Sequence, residues 1–177
     1  DGSLRRSDNG GQSYRLLNTG TFRPLGIAAI DPDRLLLLGR GLALSANAGG
    51  SFQRARGQVA RERFFGADKV GYNAFLVYGT RAVYQTGDRG EHWQRVRRPN
   101  RHEIIDVDFV DPNHGYIVAS GKLWRTGDRG RHWRLVPSIG SRVYAIEFSS
   151  RTDGYAVPSL GSRWRNGGDH RWRRDRG

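Results

Sequence analysis

Apolar and polar residues alternate along this chain in short stretches separated by turn-forming residues. This is the period-two pattern of β-strands, and no window shows the helical period of an amphipathic helix. Ile104 to Val110 and Gly115 to Ala119 flank Asp111-Pro-Asn-His114, whose residue types favour a tight turn. The same strand, turn and strand recur as Val143 to Phe148, Arg151-Thr-Asp153 and Gly154 to Val157. They recur again as Arg63 to Gly66, Ala67-Asp-Lys69 and Gly71 to Val77. The longest apolar runs, such as Leu35 to Leu38, fall far short of the roughly 18 residues that cross a bilayer, and no signal-like apolar region opens the chain.

The turns themselves repeat. Thr86-Gly-Asp-Arg-Gly-Glu-His-Trp93 returns as Thr126-Gly-Asp-Arg-Gly-Arg-His-Trp133. Looser copies run from Ser7 through Asn9 and Gly11 to Tyr14, and from Ser45 through Asn47 and Gly49 to Phe52. A fifth, one residue short, runs from Asn166 to Trp172. The copies begin at positions 7, 45, 86, 126 and 166, a period of about 40 residues. A β-rich segment precedes each clear copy (Ala82 to Gln85, Leu123 to Arg125) and another follows it (Gln94 to Val96, Arg134 to Val136).

Each period is therefore four antiparallel strands, A to D, with the motif in the C–D hairpin, which is the content of one β-propeller blade. The expected fold is all-β, a β-propeller of four-stranded antiparallel blades. The blades fall at 1–18 (strands C and D only), 19–58, 59–98, 99–138 and 139–177, about 4.4 blades and so part of a larger propeller.

The motif has a mechanical reading. The hydroxyls of Ser7, Ser45, Thr86 and Thr126 and the side chains of Asn9, Asn47, Asp88 and Asp128 can bond the turn backbone. Gly11, Gly49, Gly90 and Gly130 take a positive φ, while Tyr14, Phe52, Trp93, Trp133 and Trp172 anchor the turn in the blade core. A catalytic reading of Asp88 and Asp128 fits poorly, because the same position is Asn9 and Asn47 elsewhere.

Composition adds a direction. In 177 residues, 30 Lys and Arg against 17 Asp and Glu give a net charge of +13, so the chain attracts anions. Only Lys69 and Lys122 are lysines; the remaining cations are Arg, which forks onto carboxylate or phosphate. The absence of Cys excludes disulfides, zinc–thiolate sites, iron–sulfur clusters and a Cys nucleophile.

The motif Ser/Thr-x-Asp-x-Gly-x-x-Trp resembles the Asp-box, or BNR repeat, of sialidases, xyloglucan-active glycosidases and the photosystem II stability/assembly factor-like family. Two copies match in full. Gly115-Tyr-Ile-Val and Gly154-Tyr-Ala-Val, with Gly121-Lys-Leu-Trp-Arg-Thr126, are most similar to the assembly-factor-like group. The resemblance implies a seven-bladed, extracytoplasmic, non-enzymatic propeller that binds protein partners, with no cofactor. A sialidase should instead carry an Arg-Ile-Pro motif near its start, for which Phe22-Arg-Pro-Leu25 is a poor substitute.

Propeller geometry turns the charge into a location. Arg40, Arg81, Lys122 and Arg163 fall in successive B–C turns, and Arg56, Arg61, Arg97, Arg98, Arg101 and Arg142 fall in D–A connections. The face opposite the motif turns is thus expected to be basic and to bind an acidic protein surface, with anionic lipid or an acidic glycan as alternatives; nucleic acid fits less well because Trp and Tyr are not interleaved with Arg. Glu62, Glu103, Asp106, Asp108 and Glu147 on A strands are the carboxyls available to a glycosidase, the alternative function; otherwise they neutralise nearby Arg. His92 and His132 sit in equivalent turns of different blades, so no shared metal site is expected. Trp124 and Trp164 share a C-strand position and read as packing between sheets, and Arg171 to Arg176 reads as a basic tail.

Overall fold

The structure is a computed structural model that describes residues 3–137 and 142–158. Arg163, Trp164, the fifth motif copy with Trp172, and the basic stretch Arg171 to Arg176 lie outside the described residues. Among those described, strands paired in sequence order make five sheets. The first holds β1 (Leu4–Arg6) and β2 (Arg15–Leu17); the second holds β3 (Gly26–Ala29), β4 (Leu35–Gly39), β5 (Gly41–Ser45) and β6 (Gln53–Arg54). The third holds β7 (Gly66–Lys69), β8 (Phe75–Tyr78), β9 (Val83–Thr86) and β10 (Gln94–Val96), and the fourth holds β11 (Ile104–Phe109), β12 (Gly115–Ala119), β13 (Lys122–Thr126) and β14 (Arg134–Leu135). The fifth holds β15 (Val143–Phe148) and β16 (Gly154–Pro158). One short 3₁₀ turn, Gln58–Arg61, precedes the third sheet.

The strands divide by burial as their sequences predict. β12 is buried throughout and β4 and β8 nearly so, because a B strand has neighbours on both edges and is covered on both faces; hence the unbroken runs Leu35 to Leu38 and Tyr116 to Ala119. The D strands β6 and β14 are exposed.

The chain forms two compact units, residues 1–69, 73–79 and 84–94 in one and 70–72, 80–83 and 95–177 in the other. In the first, Phe22, Leu37 and Ala43 form a buried cluster against which Leu4 and Phe52 pack. In the second, Tyr116, Val118, Leu123, Val143, Ile146 and Phe148 form the core. There the Tyr116 and Phe148 rings stack 3.5 Å apart, and the Tyr116 hydroxyl donates to Arg151 O at 2.8 Å.

The third repeat differs from the sequence reading. Ala67, Asp68 and Lys69 were expected to form its A–B turn, but they belong to β7, in register with Val77, Leu76 and Phe75. The polar pair Asp68 and Lys69 mimics a turn, while the turn itself, around Gly71 to Asn73, lacks the Asp-Pro signal of the second and fourth repeats. A cross-strand aromatic explains why β7 starts at a glycine: Gly66 lies opposite Tyr78, whose ring fills the space a Cβ would take. Gly115 beneath Phe109 and Gly154 beneath Phe148 repeat the device.

Candidate functional site

The four described copies of the motif close their hairpins with one hydrogen-bond scheme. The hydroxyl of Ser7, Ser45, Thr86 or Thr126 accepts the amide of Gly11, Gly49, Gly90 or Gly130 at 2.8 to 3.0 Å. The same hydroxyl donates to Asn9, Asn47, Asp88 or Asp128 at 2.7 to 3.0 Å. The last pair of positions co-varies within the chain. Where the third residue is Asn, its amide donates to Ser13 or Ser51; where it is Asp, its second oxygen meets Nδ1 of His92 or His132 at 2.6 Å.

This pairing engages both oxygens of Asp88 and Asp128. Desolvation works against ionisation at Asp88, but the His92 amide, the Thr86 hydroxyl and the His92 ring outweigh it and hold the carboxyl down at about 2. The His132 amide and ring likewise hold Asp128 well below the usual range. Carboxylates so fixed are turn braces. Replacing Thr126, a buried residue, by Ala removes the acceptor of the Gly130 amide and a donor to Asp128 at once. The expected cost is about 2 kcal/mol in chemical denaturation, most of it recovered by Thr126→Ser.

Two features of the hairpin escaped sequence reasoning. The residue before each glycine is also left-handed, with φ of 55° at Ala48, 60° at Arg89 and 64° at Arg129. This strain is held by the A–B turn of the same repeat: the amides of Ala48, Arg89 and Arg129 donate to the carbonyls of Asp33, Asn73 and Asn113. The aromatic is also not a uniform anchor. Phe52 packs on the core and Trp133 donates Nε1–H to Arg97 O at 2.5 Å, but Tyr14 is 62% exposed.

At the other end of each sheet, B–C turns meet D–A connections. In the first unit, Gly41 N–H donates to Glu62 O at 2.7 Å and Phe64 N–H to Gly39 O at 2.9 Å, so the turn carrying Arg40 packs on the segment carrying Arg61, with Arg56 just before it. In the second, Ile104 N–H donates to Thr80 O beside Arg81, Ser120 N–H to Glu103 O, and Val143 N–H to Gly121 O between Lys122 and Arg142. Arg97 and Arg101 are exposed, and half-buried Arg98 donates to His102 O at 3.2 Å. Arg40, Arg56, Arg61, Arg81, Lys122 and Arg142 are exposed.

The A-strand acids take another course. Glu62 and Glu103 precede their strands instead of lying on them. Asp106 and Asp108, on β11, hold backbone amides of the next sheet: Asp106 accepts the amide of Ile146 at 2.8 Å and Asp108 that of Phe148, both on β15. Burial, with Glu147 and Asp106 nearby and against the bond from Phe148, pushes Asp108 up to about 6. Asp88, Glu91 and His92 bring three metal-ligating atoms within 4.8 Å of one another, but Asp88 Oδ2 and His92 Nδ1 are engaged with each other at 2.6 Å.

No family profile and no curated protein matches the chain. Solved structures do. An ancestral GH74 enzyme superposes with a TM-score of 0.69 at 16% identity, over 88% of this chain and 24% of that one. The GH74 enzyme of Niastella koreensis gives 0.63 at 16%, over 89% and 26%. YCF48 bound to D1 peptide gives 0.58 at 17%, over 91% and 59%. The fold is that of a β-propeller. The chain spans about a quarter of the two GH74 enzymes and about three-fifths of YCF48, and at these identities the likeness is one of fold. That fold matches the architecture implied by the motif resemblance, and it is shared by enzymes and by a propeller bound to a peptide.

Proposed function

We propose that the chain is a non-catalytic propeller scaffold, working outside the cytoplasm, that binds an acidic surface of a protein partner in the assembly or stabilisation of a larger complex. The observation that carries this reading is the pairing of B–C turns with D–A connections. In the second unit it sets Arg81 beside the segment that enters β11 and Lys122 beside Arg142, and Arg98 donates to His102 O in the connection that also carries Arg97 and Arg101. Arginine on such turns forks onto carboxylates with little loss of freedom. The likeness to YCF48 bound to D1 peptide supports a peptide or protein as the partner class.

Capture of acidic protein from a membrane-complex fraction on the immobilised chain is expected to weaken as salt rises from about 50 to 500 mM. Arg97→Glu, Arg98→Glu and Arg101→Glu together should abolish it while leaving the circular dichroism spectrum unchanged. Capture that survives the triple reversal would sink the reading.

The glycosidase reading draws on one observation, the raised Asp108 beside Asp106 and Glu147, since a carboxyl near 6 suits a general acid. Against it, Asp106 and Asp108 already hold backbone amides of β15. Release of reporter from fluorogenic β-glucans or sialosides, lost in Asp106→Asn or Glu147→Gln, would establish hydrolysis; no release is expected.

A further inference from the structure

In the first and fourth repeats, arginines face each other across the C–D strands, Arg6 opposite Arg15 and Arg125 opposite Arg134. The second repeat has Leu44 opposite Gln53, and the third carries Gln85 and Gln94 at the matching positions. Like charges directly opposite each other destabilise a strand pair unless an anion lies between them.

In the first repeat the chain supplies that anion. Asp8, next to the Ser7 hydroxyl that closes the turn, accepts from Arg6 Nε at 2.6 Å and from Arg15 Nε at 3.2 Å. The bond from Arg15, with that from Arg6, lowers its carboxyl below the usual range. In the fourth repeat the equivalent residue is Gly127, which has no side chain to offer.

A cleft of about 320 Å³ opens there instead, lined by Arg125, Thr126, Gly127, Asp128, His132 and Arg134. Neither the Arg125 nor the Arg134 guanidinium has a hydrogen bond or ion pair among the described residues. Asp128 does not fill Asp8's role, since its oxygens are taken by the Thr126 hydroxyl and by the amide and ring of His132.

We propose that this cleft binds the side-chain carboxylate of an acidic peptide, seated between Arg125 and Arg134 as Asp8 is seated between Arg6 and Arg15. Asp8 is itself a polypeptide carboxylate, so the first repeat displays the occupant in miniature. The site lies at the C-terminal end of β13, whereas Lys122 of the basic turns lies at its N-terminal end, so the two sites are separate.

The test is a heteronuclear NMR titration with the capped peptide acetyl-Gly-Glu-Gly-amide. Saturable shifts of the Gly127 amide and of the Arg125 and Arg134 Nε–H groups are expected. Two variants copied from sister repeats should each weaken binding by about tenfold or more. Arg125→Gln with Arg134→Gln installs the pair of the third repeat. Gly127→Asp installs the internal acid of the first, and room exists for it, since an added Cβ would meet only the His114 ring at 3.6 and 3.7 Å. Arg97→Glu, Arg98→Glu and Arg101→Glu should leave peptide binding intact, which separates this site from the basic turns. Absence of shifts at the two guanidinium groups, or equal binding by folded variants, overturns the proposal. Saturation by galacturonate without saturation by the peptide overturns the assignment to a peptide.

Discussion

Gly79→Ala is expected to destabilise the chain by about 3 kcal/mol, the upper range for forcing an atom into a packed site, and to lower the melting temperature by roughly 6–12 °C. A Cβ on Gly79 would lie 1.8 Å from Arg63 O, so the colliding partner is backbone that cannot swing aside like a side chain. Gly39, at the matching position of the second repeat, sits under the same constraint, with Arg23 O at 2.7 Å. The fourth repeat has Ala119 there, buried and paired with Ile104, so the fold accepts a methyl group where the incoming segment stands further off. Ala119→Gly should therefore cost about 1 kcal/mol or less. Urea denaturation of both variants decides the matter; a Gly79→Ala protein as stable as wild type would mean that the connection carrying Arg63 is loosely held. That connection also positions Arg61 against the turn of Arg40, so the same variant reports on how firmly the basic turns are built.

The hairpin motif was legible in sequence because its chemistry is local: a hydroxyl, an acceptor two residues on and a glycine two beyond that fold onto one another within eight residues. The B strands were legible because covering both faces demands unbroken apolar runs. Polar contacts between successive repeats were not read, although the period announces them. Asp106 reaches Ile146, Asp108 reaches Phe148 and Asp111 pairs with Arg151, each at a separation of 40 residues. Pairing every polar residue of the A strand and the A–B turn with the residue one period later would have found all three. Asp111 shows why single residues misled: it reads as turn punctuation, yet it accepts the Asn113 and His114 amides, meets the His114 ring at 2.9 Å and binds Arg151 at 2.9 Å. The carboxylate cleft was hidden for the opposite reason. Gly127 and Asp8 look interchangeable within the motif, and only the register that sets Arg125 against Arg134 gives the exchange meaning.

Asp108→Asn is expected to leave stability nearly unchanged at pH 4 and to raise it above wild type by about 2 kcal/mol at pH 7. Burial, aided by Glu147 and Asp106 and opposed by the Phe148 amide, places the folded carboxyl at about 6, above the unfolded value near 3.8. A raised value means that the folded chain binds this proton more tightly than the unfolded one. The stabilisation is therefore full below about pH 4 and is lost as the pH climbs through 6. Asn keeps an oxygen to accept the Phe148 amide and carries no charge to repel Asp106 and Glu147, so it does not lose stability over that interval. Asp88, Asp111 and Asp128 have lowered values and act in the opposite sense, adding stability above pH 4 that fades only in stronger acid, so the two sets separate cleanly on a pH axis. Denaturant unfolding of both proteins from pH 4 to 8 measures the difference directly. Asp108→Ala is the control, since it drops the acceptor as well as the charge and should be less stable at pH 4. If Asp108→Asn proves less stable than wild type at pH 7, the Asp108 carboxylate is ionised and paired with a cation in the folded chain. The A-strand acids would then be charge partners of arginine after all, and the backbone ladder from β11 to β15 would not explain them.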